Sequence, residues 1–373
     1  MRLNKKICIL TSVHSVFDTR IFYKETKTLV NAGHNVTLIV QHNKNEIVDG
    51  VKIIALPKPK NRIERFFKLD YLTYKKALQR KADIYHFHDP ELLPWMLRLK
   101  RKTGAKIIYD VHEDVAKQIL SKYWIPKIFR RLIAYTFDKY EKCIAKKIDY
   151  IITATPDIKN NFKQNNVIDI RNYPIITNFK NTKNTNQEKE YTELIYVGGL
   201  SGVRGIKKII QSLKYINPKH NIKLKLIGNF SNKKFEKEIK NMPEWKKIDF
   251  LGFLPQEQAC KYMCNSNIGF VCIQPLSRYI VSLPVKMFEY MTSSLPIIAS
   301  NFPLWKKIVE ENYCGICVNP TNQKEIAKAV EYLIEHPDKA KEMGKNGRRA
   351  VLEKYNWGNE EKKLLKIYGK LFL

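Results

Sequence analysis

The sequence predicts an α/β protein of two doubly wound domains, each built on a parallel sheet. Three observations predict it. Short β-branched runs alternate with longer amphipathic stretches along nearly the whole chain, as strands joined by covering helices do. The alternation stops once, at Asn178–Thr192, and then resumes. The chain has 373 residues, 44% hydrophobic and 11% aromatic, which supplies two ordinary cores and excludes a disordered or low-complexity chain.

Ile7–Thr11 reads as a strand, Arg20–Ala32 as a helix ended by Gly33, and Asn35–Val40 as the next strand. Val51–Leu56, Ile84–His88, Lys106–Val111 and Tyr150–Thr155 continue the strands, with basic helical segments between them. The tract 178–192, rich in Asn, Lys, Thr, Gln and Glu, is expected to be a linker. Beyond it Glu193–Val197, Ile222–Ile227, Ile248–Leu251, Ile268–Ile273, Pro296–Ala299 and Gly315–Val318 form a second series. The expected domains are 1–177 and 193–358. Open α/β sheets bind ligands beyond the carboxyl ends of their strands, so two facing domains would share one interdomain cleft.

The seven cysteines, at 8, 143, 260, 264, 272, 314 and 317, are odd in number and scattered, which fits a reducing compartment and no disulfide framework. Cys314 and Cys317 have CxxC spacing but no second pair, and on a strand an odd offset sends the thiols to opposite faces. No apolar run is long enough to cross a bilayer and no cleavage-site pattern opens the chain, so a cytoplasmic protein is expected.

Net charge is +31, with 67 basic and 36 acidic residues. From Lys58 to Lys147 there are 23 basic and 10 acidic residues. Lysines number 53 and arginines 14, whereas base and phosphate readout favours the bidentate Arg fork, so nucleic acid is not the expected partner. An anionic membrane surface attracts Lys without such geometry. Lys117–Lys147, with nine basic and two acidic residues interleaved with Tyr123, Trp124, Ile128, Phe129 and Leu132, has the pattern of an interfacial helix. Abundant Lys, Asn and Ile, as an AT-rich genome produces, is the competing explanation of the charge.

Two stretches carry chemistry in the second half. In Ser282-Leu-Pro-Val-Lys-Met-Phe-Glu-Tyr-Met291, Pro284 suits a helix start, and Lys286 and Glu289 share one face. The helix amides and Lys286 would face an anion, and Glu289 could accept hydrogen bonds from vicinal hydroxyls: phosphate plus diol describes a nucleotide. A solvated salt bridge is the plain alternative. Tyr196-Val-Gly-Gly-Leu-Ser-Gly-Val-Arg-Gly205 is a glycine-rich turn whose amides, with Arg204, could cradle phosphate; it lacks GxGxxG.

In the order and spacing of Val197-Gly-Gly-Leu, Arg204-Gly205, Phe253-Leu-Pro and Pro284-x-Lys-x-Phe-Glu-Tyr-Met, the chain resembles the retaining glycosyltransferases of family 4. Phe17-Asp-Thr-Arg-Ile-Phe22 and Tyr109-Asp-Val-His-Glu113 extend the resemblance into the first half. It implies the GT-B architecture, with an acceptor-side first domain, a second domain that binds the nucleotide sugar, and a closing helix 359–373 that crosses back. By position it implies that Glu289 grips the ribose and Arg204 contacts the diphosphate, with Gly198 and Gly199 in the donor loop. The arginine common in the family is Gly199 here, and the first acid of its paired-glutamate motif is Val281; Lys286 is expected to replace the lost cation.

In the first half, Tyr85-His-Phe-His-Asp-Pro-Glu91 places His86 and His88 on one strand face, and His112 ends the next strand. The family's active-site histidine falls near His112, which with Arg204 and Lys286 completes the expected catalytic set. Asp18, Arg20, His88 and Glu113 are the expected acceptor-side residues. A metal on His86, His88 and His112 is conceivable, but a hydrogen-bonded structural role is the expectation for His86, and no Asp-x-Asp clamp occurs. No metal or other cofactor is expected. The reading is a metal-independent retaining transferase that moves a hexose-type sugar from a nucleoside diphosphate to a glycan or lipid-linked acceptor, in cell-surface polysaccharide synthesis, at the inner face of the membrane. A sugar-nucleotide 2-epimerase of the same architecture and a polyanion-binding protein with a decayed site are the alternatives.

Overall fold

The computed structural model describes residues 4–122, 125–164, 166–179 and 190–372. Most of the expected linker, and Tyr123 and Trp124, lie outside them. The chain forms two compact units, Met1–Asn172 with Gly358–Leu373, and Tyr173–Trp357.

Among the described residues the first unit carries eight strands: β1 (Lys6–Ser15), β2 (Asn35–Gln41), β3 (Glu46–Val48), β4 (Val51–Leu56), β5 (Ile84–Phe87), β6 (Lys106–Val111), β7 (Tyr150–Thr153) and β8 (Val167–Asp169). Their order is β3-β4-β2-β1-β5-β6-β7-β8, and only the β3–β4 pair is antiparallel. Residues Ile7 to Ser12 are buried without alternation, the mark of a strand covered on both faces. Two strands escape the sequence reading. β3 turns into β4 through Asp49-Gly50, both at positive φ (50° and 80°), a two-residue hairpin turn. β8 is a three-residue edge strand, too short for periodicity to show.

Register sets the first unit's chemistry. β5 lies between β1 and β6 with His86 opposite Ile9 and Ile108, and Phe87 opposite Tyr109. His88, Asp89, Asp110 and His112 therefore emerge at one edge, at or just beyond the carboxyl ends of their strands. The expected helix from Arg20 begins as a π-helix, Ile21–Thr26, before it becomes α-helical over Lys27–Asn31. The amides of Tyr23 and Glu25 reach back five residues, to Asp18 O (3.3 Å) and Arg20 O (2.9 Å). Asp18 Oδ1 accepts the Arg20 and Ile21 amides at 2.8 and 2.9 Å, fixing that opening turn. The closing helix Trp357–Leu371 is anchored in this unit through Glu360, which accepts the Arg171 amide at 3.0 Å, and Tyr368.

Among the described residues the second unit holds six parallel strands: β9 (Thr192–Val197), β10 (Ile222–Ile227), β11 (Ile248–Gly252), β12 (Ile268–Val271), β13 (Ile297–Ser300) and β14 (Gly315–Val318), in the order β11-β10-β9-β12-β13-β14. Separate apolar clusters, one around Trp305 and Tyr290 and one around Ile209 and Phe270, make its core. A Cβ on Gly269 would meet the Tyr290 ring at 2.7 Å, so the glycine lets that ring lie against β12. The Tyr290 hydroxyl then accepts the Val197 amide at 2.8 Å and pins the helix Val285–Thr292 to the end of β9. No disulfide joins any of the cysteines among the described residues.

Candidate functional site

In the second unit the chain leaves β9 through Gly198, at φ 126°. A Cβ on Gly228 (φ 141°) would lie 2.0 Å from Gly198 O, and one on Gly205 (φ 81°) 1.9 Å from Cys272 O. These glycines let the loop 198–205 fold onto the ends of the neighbouring strands. Lys286, in the first turn of the helix Val285–Thr292, reaches under this loop: a Cβ on Gly198 would lie 2.9 Å from its Nζ. Its ammonium lies 3.7 Å from the centroid of the Tyr196 ring. The residue is 9% exposed, and Nζ has no hydrogen-bond partner. Burial, reinforced by Arg204, holds its pKa well below the ordinary lysine value, with Glu289 opposing.

Arg204 is half-buried, its guanidinium 5.3 Å above the Tyr279 ring. Glu289 is also half-buried and accepts from Gln256 Nε2 at 3.4 Å. Lys286 and Glu289 are therefore not a solvated surface pair. Around Gly199 a Cβ would meet nothing within 4 Å, so the position where the family commonly has arginine is sterically open. The arrangement combines a buried cation lacking an acceptor, a second cation, a helix start and a glycine turn, which suits a phosphate-bearing ligand.

In the first unit the side chains converge on Asp110. Arg20 donates to it from Nε (3.0 Å) and from its terminal nitrogen NH2 (2.8 and 3.0 Å), and gives a further bond from NH1 to Ile170 O (2.8 Å). His88 Nδ1 and His112 Nε2 form a 3.0 Å hydrogen bond and stand 3.6 and 3.5 Å from Asp110 Oδ2. His86 Nδ1 pairs with Tyr368 Oη at 2.9 Å, which fits the expected structural role. The His14 ring lies tilted against that of His112, with centroids 4.9 Å apart, and its nitrogens stand 3.8 Å from Asp18 and 3.6 Å from Asp89. Burial alone would raise the Asp110 carboxyl, but Arg20, then His112 and His88, hold it well below its usual value. Burial and the Asp110 charge push Glu25 well above its usual value against Arg20, so Glu25 is the protonated carboxyl of the pair. Burial lowers His86 to about 4 and His88 well below the usual histidine value.

Glu25, His86, His88 and Asp110, all buried, each bring a donor atom to within 4.8 Å of the others, a set a divalent cation could use. The Arg20 Nε already lies 2.8 Å from Glu25 Oε1 and 3.0 Å from Asp110 Oδ2. One guanidinium thus balances one ionised carboxylate, and the cluster is compensated as it stands.

Two expected acceptor-side residues differ from their reading. Arg20, just before the π-helical turn, and His88, just beyond β5, are each 3% exposed and spent on buried partners. They can act on an acceptor only through another group. Asp18 is half-buried and Glu113 exposed. His112 is partly exposed with its Nε2 held inward. Glu25, Asp110 and His14 are absent from the expected site residues; Asp110 lies within the Tyr109–Glu113 motif, and the pairing of Arg20 with Asp110 spans 90 residues.

Residues 178–350 match the family described as glycosyl transferases group 1, and residues 19–182 the one described as Glycosyltransferase Family 4. An uncharacterized glycosyltransferase of Methanocaldococcus jannaschii is 24% identical over 91% of this chain and 86% of its own length. The fold matches that of sucrose-phosphate synthase from Thermosynechococcus elongatus, with a TM-score of 0.79, 17% identity and 99% of each chain covered. It also matches Anabaena HepE in complex with UDP-glucose, with a TM-score of 0.75, 12% identity, and 98% of this chain and 100% of that one covered. The two parallel-sheet units and the two consecutive matches make this chain a GT-B protein and a member of the group 1 glycosyltransferases of family 4.

Proposed function

We propose that this transferase moves a hexose-type sugar, with retention, from a nucleoside-diphosphate donor to a glycan or lipid-linked acceptor. The observation that carries the reading is Lys286, whose buried Nζ has no hydrogen-bond partner beside the Gly198 turn. A buried donor without an acceptor costs about 1–3 kcal/mol, and a diphosphate oxygen would supply what it lacks. HepE holds UDP-glucose on the same fold, which supports a nucleotide sugar as the ligand.

In this reading Lys286, Arg204 and the amides around Gly198 and Gly199 bind the diphosphate, and Glu289 accepts hydrogen bonds from the ribose. Bond cleavage adds charge to the leaving oxygen, and cations fixed in a buried site stabilise that charge without reorganisation. Arg204 and Lys286 supply it, so no metal is required. His112 works at the reacting sugar or acceptor, with Asp18 and Glu113 beside the acceptor and Arg20 and His88 acting through Asp110 and His112. The enzyme would serve cell-surface polysaccharide synthesis, in the cytoplasm at the inner face of the membrane.

The test is release of nucleoside diphosphate from a nucleotide sugar with EDTA present. The reading expects release to persist, and His112→Ala to lower turnover more than donor affinity. Loss of release in EDTA, restored by Mg²⁺, would overturn metal independence; wild-type turnover in His112→Ala would remove that residue from the site.

A further inference from the structure

Of the twenty large apolar residues that stand exposed among the described residues, eleven fall in two short segments of the first unit, 62–71 and 115–145. In the first, Ile63 is 71% and Phe67 74% exposed; in the second, Ile128 is 81% and Leu132 61%. None of these four helps to hold its own segment. The second segment is a helical hairpin, Val115–Ser121 and Lys127–Ala145, with a small core of its own made by Ile119, Ile125 and Ala134. Arg130 closes it by donating from Nε to Ile125 O at 2.7 Å. Ile128, Leu132 and Tyr135, three or four residues apart, form a stripe on the other side.

Cations are interleaved with the apolar groups in both segments. Lys127, Arg131 and Lys139 are exposed on the hairpin, and Lys58, Lys60, Arg62 and Lys68 are exposed in and just before the other segment. Several lie on aromatic rings, Arg65 5.4 Å from Phe66 and Lys139 5.5 Å from Tyr135. Both segments approach Glu91. Arg65 pairs with Glu91 at 2.8 Å, and Lys122, at the end of the helix Val115–Ser121, feels the charges of Glu91, Arg62 and Arg65.

We propose that segments 62–71, 115–122 and 125–145 form one docking surface for an anionic lipid bilayer. This deepens the membrane-side reading above and rests on it; the new element is the 62–71 ridge, which works together with the hairpin. Apolar side chains would enter the interface while Lys and Arg remain at the headgroups. Among the described residues no helix is long and apolar enough to cross a membrane, so the attachment is to one face. The local excess of cations matches acidic lipid, and lysines need no directed partner there. A folded protein partner would place acceptors against these cations and cover the apolar stripe; it is the competing occupant.

The test is sedimentation of the full chain with vesicles of phosphatidylcholine alone and of phosphatidylcholine with phosphatidylglycerol. Binding to the mixed vesicles only, weakening as salt rises, is the expected result. Ile63→Ser with Phe67→Ser, and separately Ile128→Ser with Leu132→Ser, should each weaken it roughly tenfold, with far-UV circular dichroism unchanged. No binding to the mixed vesicles, equal binding to both kinds, or full binding by either double variant would overturn the proposal. The assay contains no donor or acceptor, and sugar transfer is read separately without lipid, so failure here and failure of the transferase reading are distinct results.

Discussion

Replacing Lys286 with methionine keeps the length of the side chain and removes a cation that nothing in the unliganded protein accepts from. Leaving a buried polar group unpaired costs about 1–3 kcal/mol, and the Tyr196 face 3.7 Å away offsets only part of that. The unliganded variant should therefore be as stable as the wild type, or more stable by about 1 kcal/mol, which is roughly 2–4 °C in Tm. With donor the order reverses. A charge-assisted hydrogen bond to the diphosphate contributes about 1.5–3 kcal/mol, so affinity should fall roughly 10- to 150-fold. Titration calorimetry gives a second signature. Because burial depresses this lysine's pKa, the unfolded chain carries a proton that the folded chain lacks between the folded pKa and 10.5. Stability contributed by the group therefore falls as pH falls through that window, and an anion that recharges Lys286 must take up a proton. Calorimetry below pH 10.5 in pairs of buffers of different ionisation enthalpy should show more proton uptake by the wild type than by the variant. A variant that is markedly destabilised yet binds donor normally would contradict this role for Lys286.

Glu289→Ala should leave the melting profile unchanged while weakening the donor roughly tenfold or more, by loss of charge-assisted bonds to the ribose; unchanged affinity in calorimetry removes it from the site. Arg204→Lys should keep part of the turnover and Arg204→Met should not, with kcat falling more than KM rises; normal turnover by Arg204→Met contradicts its role. Glu141, whose Oε1 accepts from Tyr109 Oη at 2.7 Å, is pushed up to about 7 by burial. Between the ordinary value of 4.5 and about 7 the folded state holds a proton that the unfolded state lacks, so stability falls as pH rises across that window. Glu141→Gln should remove the slope and gain about 3 kcal/mol at alkaline pH in urea unfolding; an unchanged slope would show that the proton resides elsewhere.

The strands whose β-branched runs are bounded by turn residues were legible, because a strand buried on both faces is written in consecutive residues. The Asp49-Gly50 turn was legible too and went unread, since the three-residue β3 offered no run to attach it to. Lys286 and Glu289 could be placed on one helix from spacing alone. Their environments could not: the burial of Lys286 depends on Gly198 and Tyr196, about ninety positions away, and on Tyr290 docking over Gly269. The Asp110 cluster draws on β1, β5, β6, the π-helical turn and Tyr368 of the closing helix. The strand ends that meet there were readable, but which histidine is buried and which keeps an open side follows from register.

A thermal-shift series with nucleoside diphosphates and their sugars, in EDTA, tests the donor site most directly, because ligand that binds only the folded state stabilises it by mass action. At a hundred times the Kd the gain is about 2.7 kcal/mol. At least one nucleotide sugar should raise Tm in the wild type without added metal, and Lys286→Met and Glu289→Ala should each lose about half of the rise or more. No shift with any nucleotide sugar, or an equal shift in wild type and both variants, would contradict this donor site.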